Sequence, residues 1–529
     1  MNFLRLFLCA YVVLMFSADI LAAQSETVPE WRYSVRPGDN LIQFAKRYLV
    51  NPDDWPVLQK LNHIKNPNRM MSGSVLRVPL NLVKQGAAAA QVVLASGQAS
   101  IVQADNRLLT VNKGQQLTAG MVLATGENSK LDIQFADGSV MSMGSNTRLT
   151  LDTLSIYSGG GMVDTTVRLQ QGRTEVQANP QHVLGNKMRI ITPSAVAAVR
   201  GTTFRVSADG VIMRQETLEG KVALIASEQE VAVDKGFGSL SEAGNAPLPP
   251  VLLLPAPPTD ALAIKLEALP VRFAMAEQAG AVAWLGSLAS DEKHNNIVAQ
   301  HVSQGRDLVF ADLRDGDYYL VVRAQDKNGI EGYDSMHKFT LNAQPFAPLA
   351  TAPKAGQTIR EAHPLLSWSK NEVADQYLLE LSDGIDFKEI LHAEKLVENQ
   401  YKISKNLPPG QYFWRVASIA GDDQGPYMAA SSFTYKAKPP MPNISQLTTS
   451  IAQNKVSVNA SSPPTGLRYV ITLENPANRQ TQVWQGDNLE GNFNFMLREF
   501  GKQTLHLQLV DTEGVTGPAT SYEFDAPAP

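Results

Sequence analysis

Between residues 92 and 240 the chain alternates apolar and polar residues in short runs, and turn signals separate the runs. The stretch 130–136 reads KLDIQFA, and 140–143, 147–151 and 163–169 keep the same two-residue period. Asp137-Gly138, Gly144-Ser145-Asn146, Gly159-Gly160-Gly161, Asp209-Gly210 and Glu219-Gly220 stand between them. A period of two puts one face of each run in a core and the other in water, while Asp-Gly and Gly-rich pairs supply the backbone angles of tight hairpins. No segment of useful length carries a helical period, so this region is expected to be one all-β domain of many short strands.

Residues 33–79 read differently. Tyr33 and Val35 alternate like a short strand, Pro37-Gly38-Asp39 turns the chain, and Asp39 or Asn40 can cap a helix whose apolar face is Leu41, Phe44, Ala45 and Tyr48. Trp55, Leu58 and Leu61 mark a second helix ending near Asn62. The loop Asn66-Pro67-Asn68 leads through Gly73 to a last strand with Val75, Leu76 and Val78, stopped by Pro79. Strand, helix, helix, strand in so few residues makes a compact βααβ module with little core.

This module resembles a LysM domain. Tyr33, Val35, Gly38-Asp39, Leu41, Ala45, Trp55, Asn62, Asn66-Pro67, Gly73, Leu76 and Pro79 stand where that family's pattern places them. Asn40 departs from it where threonine is usual, as does Met70 where isoleucine is common. The resemblance implies binding of glycans that contain N-acetylglucosamine, above all peptidoglycan, in a shallow groove between two loops. Carried over, the groove is lined by Gly38, Asp39, Asn40 and Leu41 on one side and by Asn66, Pro67 and Met70 on the other. Backbone amides and small polar groups would bond the acetamido arm, and Leu41 and Met70 would lie on the sugar's apolar face. The alternative is that Leu41 and Met70 belong to the small core.

At 529 residues the chain is too long for one core and should hold roughly three to five domains. Residues 1–23 read as a secretory signal peptide, with Arg5, an apolar run over 6–16 and Ala22-Ala23 before Gln24. The run is short for a membrane anchor, and Asp19 interrupts its extension. Cys9, inside that run and without a small residue before it, does not read as a lipidation site. It is the sole cysteine, so the processed chain would have no disulfide, thiol nucleophile or thiolate metal site. A net charge of −5 without basic clusters argues against nucleic acid as a partner. No segment past residue 23 approaches the length of a membrane span, so the expectation is a soluble protein of the periplasm, associated with the cell wall.

The all-β region, after a small-residue linker over 86–90, resembles the FecR periplasmic domain. The residues that carry the likeness are Ala124-Thr125-Gly126, Ser129, Leu131 and Phe135-Ala136-Asp137-Gly138-Ser139. They continue with Leu169, Gly172, the string ITPSAVAAVRGTTFRV over 191–206, and Glu219-Gly220-Lys221-Val222. In that family the domain is the periplasmic part of a signal relay that also uses a transmembrane helix and a cytoplasmic segment. No stretch here reads as either, so the expectation is a β scaffold that contacts another envelope component. Arg200 could grip an anion, but Arg200-Gly201-Thr202 reads first as turn geometry.

Residues 247–258 (PLPPVLLLPAPP) form a proline-rich linker, expected to be stiff and to mark a domain boundary. Beyond it LRDGDYYLVVRAQDKNGIEGY from Leu313 aligns with LPPGQYFWRVASIAGDDQGPY from Leu407, and LREFGKQTLHLQLVDTEGVTGP from Leu497 is a weaker third copy. The spacing suits three immunoglobulin-like or fibronectin type III-like β-sandwiches, over 259–343, 344–437 and 438–527. Trp368 is expected in a sandwich core, and Trp414 and the repeated tyrosines as packing rather than a binding stripe.

Nothing in the sequence assembles an active site. The eight histidines are scattered, no pair stands at a metal-ligand spacing, and no G-x-S-x-G elbow is present. Asp53-Asp54, Asp291-Glu292 and Asp422-Asp423 suit capping or solvated loops. The expectation is therefore a mostly β, multidomain, non-enzymatic scaffold or adaptor, without cofactor or metal, held to peptidoglycan and meeting an envelope protein partner. An envelope sensor that signals to a membrane partner remains an alternative, as does a peptidoglycan-remodelling enzyme or its activator.

Overall fold

A computed structural model describes residues 29–159, 161–179, 186–199, 201–477, 480–484, 491–498 and 500–528. The signal-like segment 1–23 and Arg200 lie outside these. At the N-terminal end Glu30–Ser34 pairs antiparallel with Val75–Pro79, Tyr33 standing opposite Leu76. Helices Leu41–Tyr48 and Trp55–Leu61 fill the span between the strands. Asn40, not Asp39, caps the first helix: its backbone is extended and its Oδ1 accepts the Gln43 amide at 2.8 Å. The strand starts before Tyr33, so Trp31 joins Tyr33, Phe44 and Tyr48 in one aromatic cluster.

This core is not closed by the module alone. Tyr157 and Met162 of the all-β region complete it. Gly159 sits under the aromatic cluster, where a Cβ would come within 2.6 Å of Tyr48 Cδ1. The small-residue stretch expected to be a linker is instead the end of one strand, a two-residue connection and the start of the next. Gln85–Ala87 pairs with Arg148–Tyr157, and Ala90–Ser96 with Lys130–Gln134. Consecutive glycine and alanine residues carry no polar–apolar contrast, so their strand period is silent in the sequence.

From Gln85–Ala87 to Val251–Leu252 the strands close into a barrel. The inward residues of the alternating runs form one core, including Leu131, Ile133, Met141, Leu149, Leu151, Val167 and Leu169. Its longest strand, Val163–Gln177, changes partners midway. The first half pairs with Arg148–Tyr157 and, in parallel, with Lys187–Ile191; the second half pairs with Val140–Met143 and Thr203–Asp209. Gly172 marks the exchange, with φ +95° and its backbone pressed against Thr147. A strand that passes between sheets needs such a bend, and glycine makes it without a steric penalty.

Three sandwiches follow. In the first, Ile297–Ser303, Ala283–Ala289, Gly316–Gln325 and Ser335–Leu341 run antiparallel, with Lys265–Leu266 added in parallel. The second repeats this with Ile390–Leu396, Gln376–Ser382, Gly410–Ala420, Ser431–Tyr435 and the parallel Gln357–Ile359. The chain forms two compact units, dividing between Leu341 and Asn342. Trp368 and Trp414 are both buried in the core of the second sandwich, 6.3 Å apart.

The aligned tyrosines have a specific task. Tyr318 Oη donates to Arg314 O at 2.7 Å, and Tyr412 Oη donates to Pro408 O at 2.7 Å, tying each long strand back to the corner before it. In the third copy Gln503 holds this place, buried, and its Nε2 has no partner among the described residues. Tyr412→Phe should therefore destabilise the second sandwich by about 1 kcal/mol. Urea unfolding followed by the fluorescence of Trp368 and Trp414 measures it.

The proline-rich stretch is not a free spacer. Leu253 is buried, Leu248 O accepts from Ser239 Oγ at 2.6 Å, and Leu254 O accepts from Tyr333 N at 3.0 Å. Pro255 O accepts from Gln278 Nε2 at 2.8 Å, and Ser335 Oγ bonds Pro257 O. A glycine after the long strand of each sandwich receives such a segment. A Cβ on Gly332 would lie 2.5 Å from Leu254 O, one on Gly425 2.9 Å from Pro345 C, and one on Gly517 2.9 Å from Pro439 C. Proline cannot donate an N–H to a ladder, so in the first segment the non-proline residues carry the amide bonds, as Leu253 N does to Gly236 O at 2.9 Å, and all three segments pack closely against a glycine.

Candidate functional site

Two backbone bonds lace together the loops expected to form the groove. Leu41 N donates to Pro67 O at 2.8 Å, and Met70 N to Asp39 O at 3.4 Å. Asp39 shapes the first loop, because its Oδ2 accepts from both Tyr33 Oη and the Arg36 amide at 2.7 Å. Burial and then this bond to Asp39 push the Tyr33 hydroxyl up to about 12, so it stays a donor. In the second loop Asn66 Oδ1 accepts the Asn68 amide at 3.0 Å, an Asx turn.

The seven expected residues divide by exposure. Gly38 and Asn66 are exposed, and Asp39, Asn40 and Pro67 are half-buried. Leu41 is 0% exposed and Met70 8%, so both belong to the core rather than to a sugar-facing surface. Leu41 is the first residue of a helix whose apolar face turns inward, and that geometry removes it from the groove. Met71, by contrast, is 79% exposed, and Arg36 and Arg69 stand exposed, one in each loop. A Met-Met pair ahead of a turn gives no sign in sequence of which side chain goes in.

The other candidates are fasteners. Asp291 accepts the amides of Asn295 and Asn296, and Asp53 lies in a single 3-10 turn capped by Asn51. Thr125 Oγ1 donates to Gly144 O at 2.6 Å, Ser129 Oγ accepts the Gln98 amide at 2.8 Å, and Thr192 Oγ1 accepts the Ala195 amide at 3.1 Å. Thr202 is buried, against the spot where a Gly220 side chain would go. Among the described residues no group of three or more His, Cys, Asp or Glu could hold a metal ion, and no helix is long and apolar enough to cross a membrane.

Residues 33–79 match the LysM domain, and residues 121–223 match the FecR protein family. The chain carries a LysM domain followed by a FecR domain. The LysM match spans both laced loops, and the FecR match spans the barrel from just before Val122–Thr125 into Lys221–Ala226, with the Gly172 bend inside it. No curated protein matches the chain. Among solved structures, a candidate anti-sigma factor from Parabacteroides distasonis is 17% identical over 24% of this chain, with a TM-score of 0.21. The chain spans 57% of that protein's length. The FN1–FN3 domains of chicken CNTN1 are 14% identical over 52% of this chain and all of their own, at a TM-score of 0.23. A two-domain fibronectin type III segment of chicken tenascin is 12% identical over 34% of this chain and 97% of its own, at 0.20. The LysM and FecR domains are followed by antiparallel β-sandwiches in a mostly β chain.

Proposed function

We propose that this protein is a non-enzymatic scaffold of the bacterial periplasm, anchored to peptidoglycan through its LysM domain and presenting its FecR domain and sandwiches to an envelope protein partner. The observation that carries this reading is the LysM match over a module whose two groove loops are laced together with polar groups at the rim. Gly38, Asp39, Asn40, Asn66 and Pro67 form that rim. Asp39 and Asn40 act by holding the loop, and Asn66 is free to bond an acetamido group through its amide. Arg36 and Arg69 add positive charge where the stem peptides of peptidoglycan carry carboxylates.

Asn66→Asp tests the site without disturbing the turn. An aspartate still accepts the Asn68 amide, but it removes the NH2 donor and adds a charge that repels carboxylates. Retention of the full chain on purified peptidoglycan should fall severalfold while thermal unfolding is unchanged. Wild-type retention by the variant would overturn the assignment. Deleting the module is a poorer test, because it uncovers Tyr157 and Met162.

The FecR match supports a second reading, an envelope sensor that acts on a membrane protein. Crosslinking in cells that recovers no membrane protein on the FecR domain would count against it. A clearing band from the purified protein on a peptidoglycan zymogram would instead sink the non-enzymatic reading.

A further inference from the structure

The FecR barrel and the first sandwich belong to one compact unit, and charged residues meet where they touch. Loop 326–334 of the sandwich lies on the outer face of the barrel strands Thr203–Asp209 and Ile212–Glu219, beside a cleft of about 560 Å³. Arg205 of the barrel reaches Glu175 Oε2 at 3.1 Å on its own side, and Asp334 Oδ1 and Gly332 O at 2.9 Å on the other. Arg323 of the sandwich bonds Glu331 Oε2 at 2.9 Å and Asp334, and lies 3.6 Å from Glu175. Arg173 pairs with Glu331 at 3.2 Å, and Arg214 Nε donates to Asn328 O at 2.7 Å. Each of these guanidiniums is therefore engaged within the protein.

Glu216 breaks the pattern. It is 2% exposed, forms no ion pair among the described residues, and accepts only the Glu331 amide, at 3.1 Å. Its carboxyl thus meets the Glu331 backbone across the joint, and the Glu331 charge acts on it within a cleft that Arg173, Glu175, Arg205, Arg323 and Asp334 also line. Lys130, whose Nζ donates to His294 O, pairs with Asp132 at a second contact, and Glu292, Lys293 and His301 complete the cleft's titratable lining.

We propose that this joint is a proton-sensitive clasp: with Glu216 protonated the first sandwich is held shut on the barrel, and ionisation of Glu216 beside Glu331 loosens it. Burial, then the Glu331 charge, push Glu216 up to about 7. A carboxyl raised in this way supports the closed joint fully below the ordinary carboxylate range, and that support is lost as pH rises through about 7. Glu331 and Asp334 have the opposite sign. Burial opposes their ionisation, but the arginines hold both below the usual range, so their support is lost only in acid. Burial, then Lys130 and Arg323, push His294 down to about 4, so its support is lost as pH falls below the ordinary histidine range.

Glu216→Gln isolates the one group, since glutamine keeps the acceptor for the Glu331 amide and cannot ionise. The readout is hydrogen–deuterium exchange of peptides covering 326–334 in the full chain, wild type against variant at matched pH. At pH 8.5 the wild type should exchange about tenfold faster relative to the variant than it does at pH 6. An equal ratio at both pH values overturns the clasp. If the variant folds poorly, the wild type alone decides. After correction for intrinsic rates, exchange in 326–334 should rise with pH relative to the barrel strand Lys221–Ala226, and a constant ratio overturns the proposal.

Discussion

Gly425→Ala should cost the second sandwich about 2–4 kcal/mol and uncouple its loop from the chain that enters it. A Cβ there would stand 2.9 Å from Pro345 C and closer still to its carbonyl oxygen, and both are backbone atoms that no rotamer change can move. The segment must therefore lift away, losing the Asn342 Nδ2 bond to Gln424 O with it. Gly410→Ala is the control, since a Cβ at Gly410 meets only Tyr412 Cε2 at 3.9 Å, an ordinary contact. Urea unfolding followed by tryptophan fluorescence should lower the midpoint for the first variant and leave it nearly unchanged for the second. Equal midpoints would mean that the proline segment does not bear on the sandwich.

The second large effect is expected at Gly172. Alanine there takes on the cost of φ +95° and places a Cβ 2.5 Å from Thr147 Cα, so two penalties act at one position. The barrel should lose about 3 kcal/mol or more, read as a lower melting temperature and faster proteolysis of the barrel. Thr147→Ala should not rescue it, because the obstructing atom is backbone. Rescue by that second change would show that the threonine side chain, rather than the bend, sets the requirement.

Much of this architecture could be read from the sequence wherever residue chemistry encodes geometry directly. The alternation in 130–136 appears as Lys130–Gln134 with Leu131 and Ile133 inward, and the L-x-x-G-x-Y strings become strands tied back by Tyr318 and Tyr412. Stretches without chemical contrast were opaque. Gln85–Ala87 is built from small residues, and Val251–Leu252 is enclosed by prolines, yet both are barrel strands because their carbonyls and amides find partners in tertiary contact. The two loops expected to form the groove do come together, but the sequence did not say which of their side chains point outward. Gly38 and Asn66 face outward, but Leu41 and Met70 are interior, because a family position that is apolar serves the fold as readily as it serves a ligand. The clasp at Glu216 left no trace in sequence, since Glu216 and Glu331 are brought together only by the packing of two domains.

The seating of Gly332, Gly425 and Gly517 on the proline segments before them bears on how such a chain arises by gene duplication. A sandwich cut out at its first strand would arrive without the backbone its glycine is shaped to receive. The unit that can be copied and still fold is the sandwich together with its upstream prolines. A sandwich taken on its own should therefore begin at its prolines, and boundaries drawn through them cut away backbone against which its glycine packs.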